Sequence, residues 1–364
     1  MTDLLYSETE SDLRAAVRSL LADRADPAAL PARVETGRPH DPAVWQALAA
    51  DMGAAGLLVP ERLGGQGAGH REAAVVLEEL GRAVTPAPYL TSSVVATETL
   101  LALDATELLA DLAAGRRTAV LALPLSIGPD TVRPATGPGG APSAAGPVTG
   151  VADAVVADVF LVHRPDGLYA VDAAEVTVTP VTALDLTRPL ATVAADSGGT
   201  RLAGAGAAGP AVRRGLLAGA GLLASEQLGL AEWCLEETVR HTRERHQFNR
   251  PVGSFQALKH RMAQLWLEVV HARAAARAAA DALATGSPEA PLVVAVAQAY
   301  CSRVAVHAAE ECVQLHGGIG MTWEHPAHLY LKRAKADQIA LGTPGRHKEA
   351  LAALVDLPGP AAAE

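Results

Sequence analysis

The chain has 364 residues, 49% hydrophobic and 19% charged, so it can bury a large core and exceeds a typical single domain. Its net charge of -10 argues against a nucleic-acid or anionic-membrane partner, since both need clustered Lys and Arg. Cys234, Cys301 and Cys312 are an odd, widely spaced set without a C-x-x-C pair; they support neither a disulfide framework nor a zinc site and fit a reducing cytoplasm.

The acidic start carries no apolar segment behind a basic one, and no later run of apolar residues reaches the ~18 that a span needs. The expectation is a cytoplasmic protein with no membrane span. Residues 8–115 read as helices. Ser7 and Glu8 precede a run with Leu13, Val17, Leu20 and Leu21 on one face, and stretches 42–55, 70–83 and 104–114 repeat the period. A glycine-rich turn, Pro60 to Gly67, separates two of them. Residues 118–205 change character: Gly and Pro clusters at 137–140 and 146–147 divide short Val-rich runs, and strands are predicted at 154–162, 167–171 and 175–183. From about 211 the helical period returns in four long segments, 211–243, 255–285, 290–315 and 324–340, whose short connections predict an antiparallel bundle. The Ala-rich stretch from Ala272 to Ala284 permits close helix axes and packing against neighbouring subunits. The predicted fold class is α+β, mainly α. It comprises an N-terminal helical domain (1–116), a middle β-barrel or sandwich domain (117–207) and a C-terminal four-helix bundle (208–364).

Two stretches carry chemistry. Between the first two bundle helices, Arg245, Gln247 and Gln256 set a fixed cation and two amides around Phe248. A guanidinium suits pyrophosphate, amides suit adenine or ribose, and a ring can stack; the helix starting near Phe255 offers N–H groups to an anion. The plainer reading is a helix end where Arg243, Arg245 and Arg250 complement the dipole. The second stretch ends the third bundle helix, with Gln314 one turn before Gly317, Gly318 and Gly320. Glycines there end the helix and let a ligand approach backbone, or serve only as a C-cap. The spacing follows a helix and is no Rossmann fingerprint.

In this order and spacing the residues resemble the acyl-CoA dehydrogenase family over the whole chain. The matches are Pro60, Glu61, Gly64, Gly65 and Gly67; then Arg245, Gln247, Phe248, Pro251, Phe255 and Gln256, with Lys259, His260 and Ala263 behind them. Gln314, Gly317, Gly318 and Gly320 follow, and finally Arg333, Ala334, Lys335, Gln338, Ile339, Gly342 and Thr343. The resemblance implies a homo- or heterotetramer with FAD between the β domain and the bundle. Arg245, Gln247, Phe248 and Gln256 would face the FAD of a neighbouring subunit, Gln314, Gly317 and Gly318 its adenylate portion, with Thr343 a further cofactor contact. It also implies an acyl-CoA substrate and an electron-acceptor flavoprotein. In the family's reaction a carboxylate removes the α-proton of the thioester while the β-hydrogen leaves as hydride to the flavin.

That carboxylate is missing where the family places it. The Glu of the family's Tyr-Glu-Gly-Thr segment is here Leu341, and the alternative position on the first bundle helix falls on Gly219. Glu226, seven residues on and about 10 Å along the axis, is the nearest catalytic candidate. Its plainer reading is a solvated or interface glutamate, and Asp337 reads as an ion-pair partner of Lys335 and Arg333. In the β domain only Ser126 offers to replace a flavin-contacting hydroxyl. A metal on His325 and His328 beside Glu324 is set aside, and His241, His246 and His260 read as polar residues near a cofactor or seam. Two functions follow: an acyl-CoA dehydrogenase with an unusually placed base, or a non-catalytic partner subunit completing the FAD site of a heteromeric enzyme. A third is the same fold turned to dehydration or cyclisation.

Overall fold

The computed structural model describes residues 4–25, 29–131, 146–195 and 198–357; the predicted Gly and Pro cluster at 137–140 lies outside them. The chain opens with α1 (Glu8–Arg24), started by Ser7, whose hydroxyl accepts from the Glu10 N–H while Glu10 returns a bond to the Ser7 N–H. Then come α2 (Leu30–Glu35), α3 (Pro42–Gln46), α4 (His70–Arg82), α5 (Thr97–Leu101) and α6 (Thr106–Ala113), with a wide-turn helical segment, Tyr89–Ala96, leading into α5. Helix α4 buries Ala73, Val76, Leu77 and Leu80 as its period predicts, and with them Glu78 and Glu79, which pair with Arg14.

Among the described residues, the strands that follow are β1 (Ala119–Leu121), β2 (Val148–Ala152), β3 (Val159–Arg164), β4 (Gly167–Asp172), β5 (Thr177–Val181), β6 (Leu190–Ala194) and β7 (Thr200–Gly204). They form two sheets, ordered β1-β3-β4-β7 and β2-β6-β5. Val120, Phe160, Val162 and Val171 of the first face Val151, Ala191 and Val193 of the second, a sandwich core. The sequence-derived strands need correction. Residues Ala154–Val156 form a tight turn, because Asp153 takes a left-handed conformation (φ 55) that breaks the extended run. Strands β1, β2, β6 and β7 are too short, or too interrupted by Gly and Thr, to stand out from their turns.

The second helical region begins earlier than predicted, with α7 (Ala205–Glu244) taking in Pro210 in its second turn. It continues through α8 (Gln256–Ala284), α9 (Ala290–His316), α10 (Ala327–Asp337) and a helix the periodicity did not predict, α11 (Pro344–Leu354). Helices α4 and α7 cross closely: a Cβ on Gly229 would stand 1.9 Å from the Glu78 carbonyl oxygen, so only glycine allows this approach. Buried Ala272, Ala276, Ala279 and Ala280 do the same service for α8. Helix α9 is long and apolar enough to cross a membrane by length and composition (mean hydropathy 1.4), yet 61% of that window is buried among the other helices, as in a core helix.

Candidate functional site

The α7–α8 junction is a two-stranded hairpin, where the sequence suggested only a connection. Strands β8 (His246–Gln247) and β9 (Arg250–Pro251) are joined by Phe248 and Asn249, both left-handed at φ 52 and φ 61. Two positive φ values define the tight turn that matches strand twist. Phenylalanine adopts it only at a cost, and such strain points to a role outside folding. Phe248 is 88% exposed and edge-on to Phe255, which in turn carries the Arg250 guanidinium on its face at 3.8 Å. Arg245, Gln247 and Gln256 are exposed alongside it, and α8 starts at Gln256 with no side-chain cap on its first N–H groups.

The end of α9 lies at this same end of the bundle: His241, in the last turn of α7, stacks on His316, the last residue of α9, with ring centroids 4.2 Å apart. Gln314, Gly317 and Gly318 are exposed there, and a Cβ on either glycine would meet nothing within 4 Å. The hairpin and the glycine turn thus share one open face. Thr343 lies elsewhere. Helix α10, 11 residues or about 16 Å long, separates the glycine turn from it. There Thr343 caps α11, its hydroxyl accepting from the Arg346 N–H.

At that far end the sheets meet the bundle around a cavity of about 230 Å³, lined by Pro124, Leu125, Ser126, Thr149, Gly150, Arg188, Ile339 and Ala340 among others. Leu184 and Ile339, 60% and 53% exposed, stand at its lining. Beside it, Leu341 is left-handed at φ 54, its N–H donated to the Leu125 carbonyl at 2.7 Å. The two positions considered for a base converge here. A Cβ on Gly219 would lie 2.5 Å from Val95 Cγ2 and 3.1 Å from Leu341 Cδ1. Only a residue without a side chain fits, and the space a carboxylate would need is filled by Val95 and Leu341.

Glu226 is neither solvated nor at an interface, contrary to its plainer sequence reading. It is 1% exposed and held by two cations: Arg188 Nη2 donates to both of its oxygens at 2.7 Å, and Arg333 Nη1 to Oε1 at 2.6 Å. A carboxylate so paired spends its lone pairs on guanidinium protons and, being buried, presents none of them to a substrate. Asp337 is likewise corrected. It accepts from Arg188 Nη1 at 2.6 Å, while Lys335 pairs with Glu310. Asp185 completes the group through Arg333. Burial, and then the Glu226 charge, push the Asp337 carboxyl up to about 8. No spacing in the sequence announced this cluster, because Arg188 and Asp337 alone stand 149 residues apart.

The histidines also rearrange. His328 packs edge-on to Trp323 at 4.4 Å, away from His325, which turns to Glu237 at 3.3 Å. His246 is exposed on the hairpin, its Nδ1 at 2.9 Å from the Glu244 carbonyl oxygen, and His260 is exposed on α8. A larger groove of about 580 Å³ between α6 and the β4–β7 edge, lined by Glu107, Asp111, Arg117 and Asp172, holds none of the residues singled out from sequence.

Comparison with known proteins agrees with this architecture. The family model "Acyl-CoA dehydrogenase, N-terminal domain" matches residues 7–109, and "Acyl-CoA dehydrogenase, C-terminal domain" matches residues 209–355; the sheet-forming stretch lies between them. Acyl-CoA dehydrogenase IpdE2 of Mycolicibacterium smegmatis is 36% identical over 93% of this chain and 96% of its own length. The protein of the same name from Mycobacterium tuberculosis is 37% identical, over 93% and 94%. Among solved structures, the ChsE4-ChsE5 complex from Mycobacterium tuberculosis superposes with a TM-score of 0.85 at 25% identity, covering 99% of this chain and 100% of the matched one.

Proposed function

The chain belongs to the acyl-CoA dehydrogenase family, and on that premise we propose that it is the non-catalytic partner subunit of a heteromeric acyl-CoA dehydrogenase, completing the FAD site of a second, base-bearing chain. One observation carries this reading: neither position for a base bears a carboxylate, and at Gly219 a Cβ would already lie 2.5 Å from Val95 Cγ2 and 3.1 Å from Leu341 Cδ1. Glu226, the candidate base read from the sequence, is tied up by Arg188 and Arg333.

The cofactor's fit is divided in the same sense. The seam cavity, about 230 Å³, falls below the ~300–1,000 Å³ of sites that enclose a drug-sized ligand, so it suits a ring system and not a whole dinucleotide. The phosphate- and base-directed groups stand instead on the exposed face at the other end of α10. Arg245 is the cation for pyrophosphate, Gln247, Gln256 and Gln314 are amides for ribose or adenine, Phe248 is a stacking ring, and Gly317 and Gly318 present open backbone. Bound FAD supplies the hydride acceptor for α,β-dehydrogenation of an acyl-CoA thioester. This chain's part is to bind and orient the nucleotide and keep it from water, while the proton is removed by a carboxylate of the partner. An electron-acceptor flavoprotein would be a further partner. The likeness of this chain to the solved ChsE4-ChsE5 complex supports this reading.

The test is to purify the chain alone and with a co-expressed dehydrogenase-like partner, record flavin spectra, and add acyl-CoA thioesters without oxygen. The expected result is stoichiometric FAD and substrate-dependent bleaching only in the complex. Bleaching by the chain alone, abolished in Glu226→Gln, would overturn the proposal and return Glu226 as base.

A further inference from the structure

At the meeting point of α7 and α9 lies a group of side chains that the flavin reading leaves unused. Glu237 on α7, His316 at the end of α9 and His325 just before α10 each bring one donor atom within 4.8 Å of the others. Glu237 Oε1 is 3.3 Å from His325 Nε2 and 3.7 Å from His316 Nε2. Donors at ~2.0–2.1 Å around one tetrahedral zinc ion stand about 3.3 Å apart, so these separations need only small closure.

The His316 side chain is wholly buried, and its Nε2 has no hydrogen-bond partner. Its Nδ1 lies 2.6 Å from the Cys312 carbonyl oxygen, which holds a ring proton on Nδ1, and Nε2 faces Glu237. A backbone carbonyl holding the far N–H of an imidazole is the usual support behind a metal-ligating histidine. The surroundings favour positive charge as well. Helix α9 ends at His316, so its carbonyl end lies at the cluster. A buried imidazole nitrogen beside a carboxylate, at the negative end of a helix, is a place for a cation.

We infer that Glu237, His316 and His325 form a binding site for a divalent transition-metal ion of the zinc type, with a fourth position left open. Two existing contacts oppose it and set its strength. Arg240 pairs with both oxygens of Glu237, but at 58% exposure it can swing into solvent. His325 Nδ1 accepts the Ala327 N–H at 3.2 Å, so ligation moves the ring proton from Nε2 to Nδ1 and gives up that contact. Once bound, the ion would tie the turn that carries Gly317 and Gly318 to the end of α7.

The test uses tag-free full-length protein, with its partner subunit where the two purify together. Co2+ should give ligand-field absorption at one equivalent, displaced by Zn2+, with Zn2+ binding followed by calorimetry. His316→Ala should weaken Zn2+ binding by more than about 100-fold, because removing groups that merely orient ligands already costs ~10–100-fold. Since His316 is buried and its variant can lose the fold, His325→Gln is measured beside it, with circular dichroism confirming structure and a similar loss expected. Cys312→Ala should leave Zn2+ binding unchanged. Absence of Co2+ bands in the wild-type protein, or full Zn2+ affinity in folded His325→Gln, overturns the site; loss in Cys312→Ala alone would move the ion to the thiol and overturn it too.

Discussion

Leu341 is the residue on which the functional reading turns, and its conformation can be tested directly. It is 3% exposed, left-handed, and bonded through its N–H to Leu125. If the chain lacked only a base, Leu341→Glu would supply one. If the space is closed by packing, the new carboxylate meets Gly219 and Val95 with no partner, which costs upward of about 2 kcal/mol. The expected outcome is a lower Tm for the variant, followed by thermal unfolding; an unchanged Tm would show the site to be open. Phe248 makes the opposite prediction. An exposed ring has little to lose in folding, so Phe248→Ala should change stability by no more than about 0.5 kcal/mol. Losing a stacking partner worth ~0.5–1.5 kcal/mol should nevertheless weaken FAD retention in the complex by up to about tenfold, read as flavin content after gel filtration.

Among the elements, the loop between β5 and β6 shows how the seam is held. It carries Asp185, Thr187 and Arg188, and through them it is fastened to α7 by Glu226 and to α10 by Arg333 and Asp337. Replacing a buried ion cluster by apolar groups can be neutral, but removing one member strands the others. Arg188→Met leaves Glu226 with one cation and Asp337 with none, and should destabilise the protein by about 3–5 kcal/mol in urea unfolding. Such a cluster is invisible to periodicity, which is why Glu226 was misread from sequence as a solvated residue. What periodicity does report is amphipathic length: α1, α4, α8 and α9 were legible because their apolar stripes run for several turns. Helix α11 was not, since among its 11 residues only His347 is buried. The hairpin at Phe248 was hidden for another reason, because its turn lacks the Asn-Gly or Asp-Gly pair that normally signals one.

Across the whole molecule, the three structural layers meet at carboxylates. Asp153 joins the N-terminal helices to the sheets, its Oδ2 accepting from the Thr91 hydroxyl at 2.8 Å and its Oδ1 paired with His40 at 3.1 Å. Asp337 joins the sheets to the bundle, and it carries one oxygen, Oδ2, that is buried without a hydrogen-bond partner. That oxygen explains the direction of its titration: in a dry seam already holding Glu226 and Asp185, a further negative charge is disfavoured, and the carboxyl is pushed up to about 8. An unfolded aspartate titrates near ~3.9. Between these values the folded chain therefore holds a proton that the unfolded chain has released, and folding stability falls as pH rises through that window. Other carboxylates act in the opposite sense and at lower pH; Glu10, held by Arg71, is drawn down to about 2, so its contribution is complete above the unfolded value and is lost only in acid. The two effects separate on a pH series. In Asp337→Asn the amide oxygen still accepts from Arg188 and no proton is taken up, so the decline in Tm from about pH 5 to pH 8 should flatten while the acid limb below about pH 4 stays as in the wild type. Thermal unfolding of both proteins across that range measures it, and an unchanged slope in the variant would place the titrating group outside the seam.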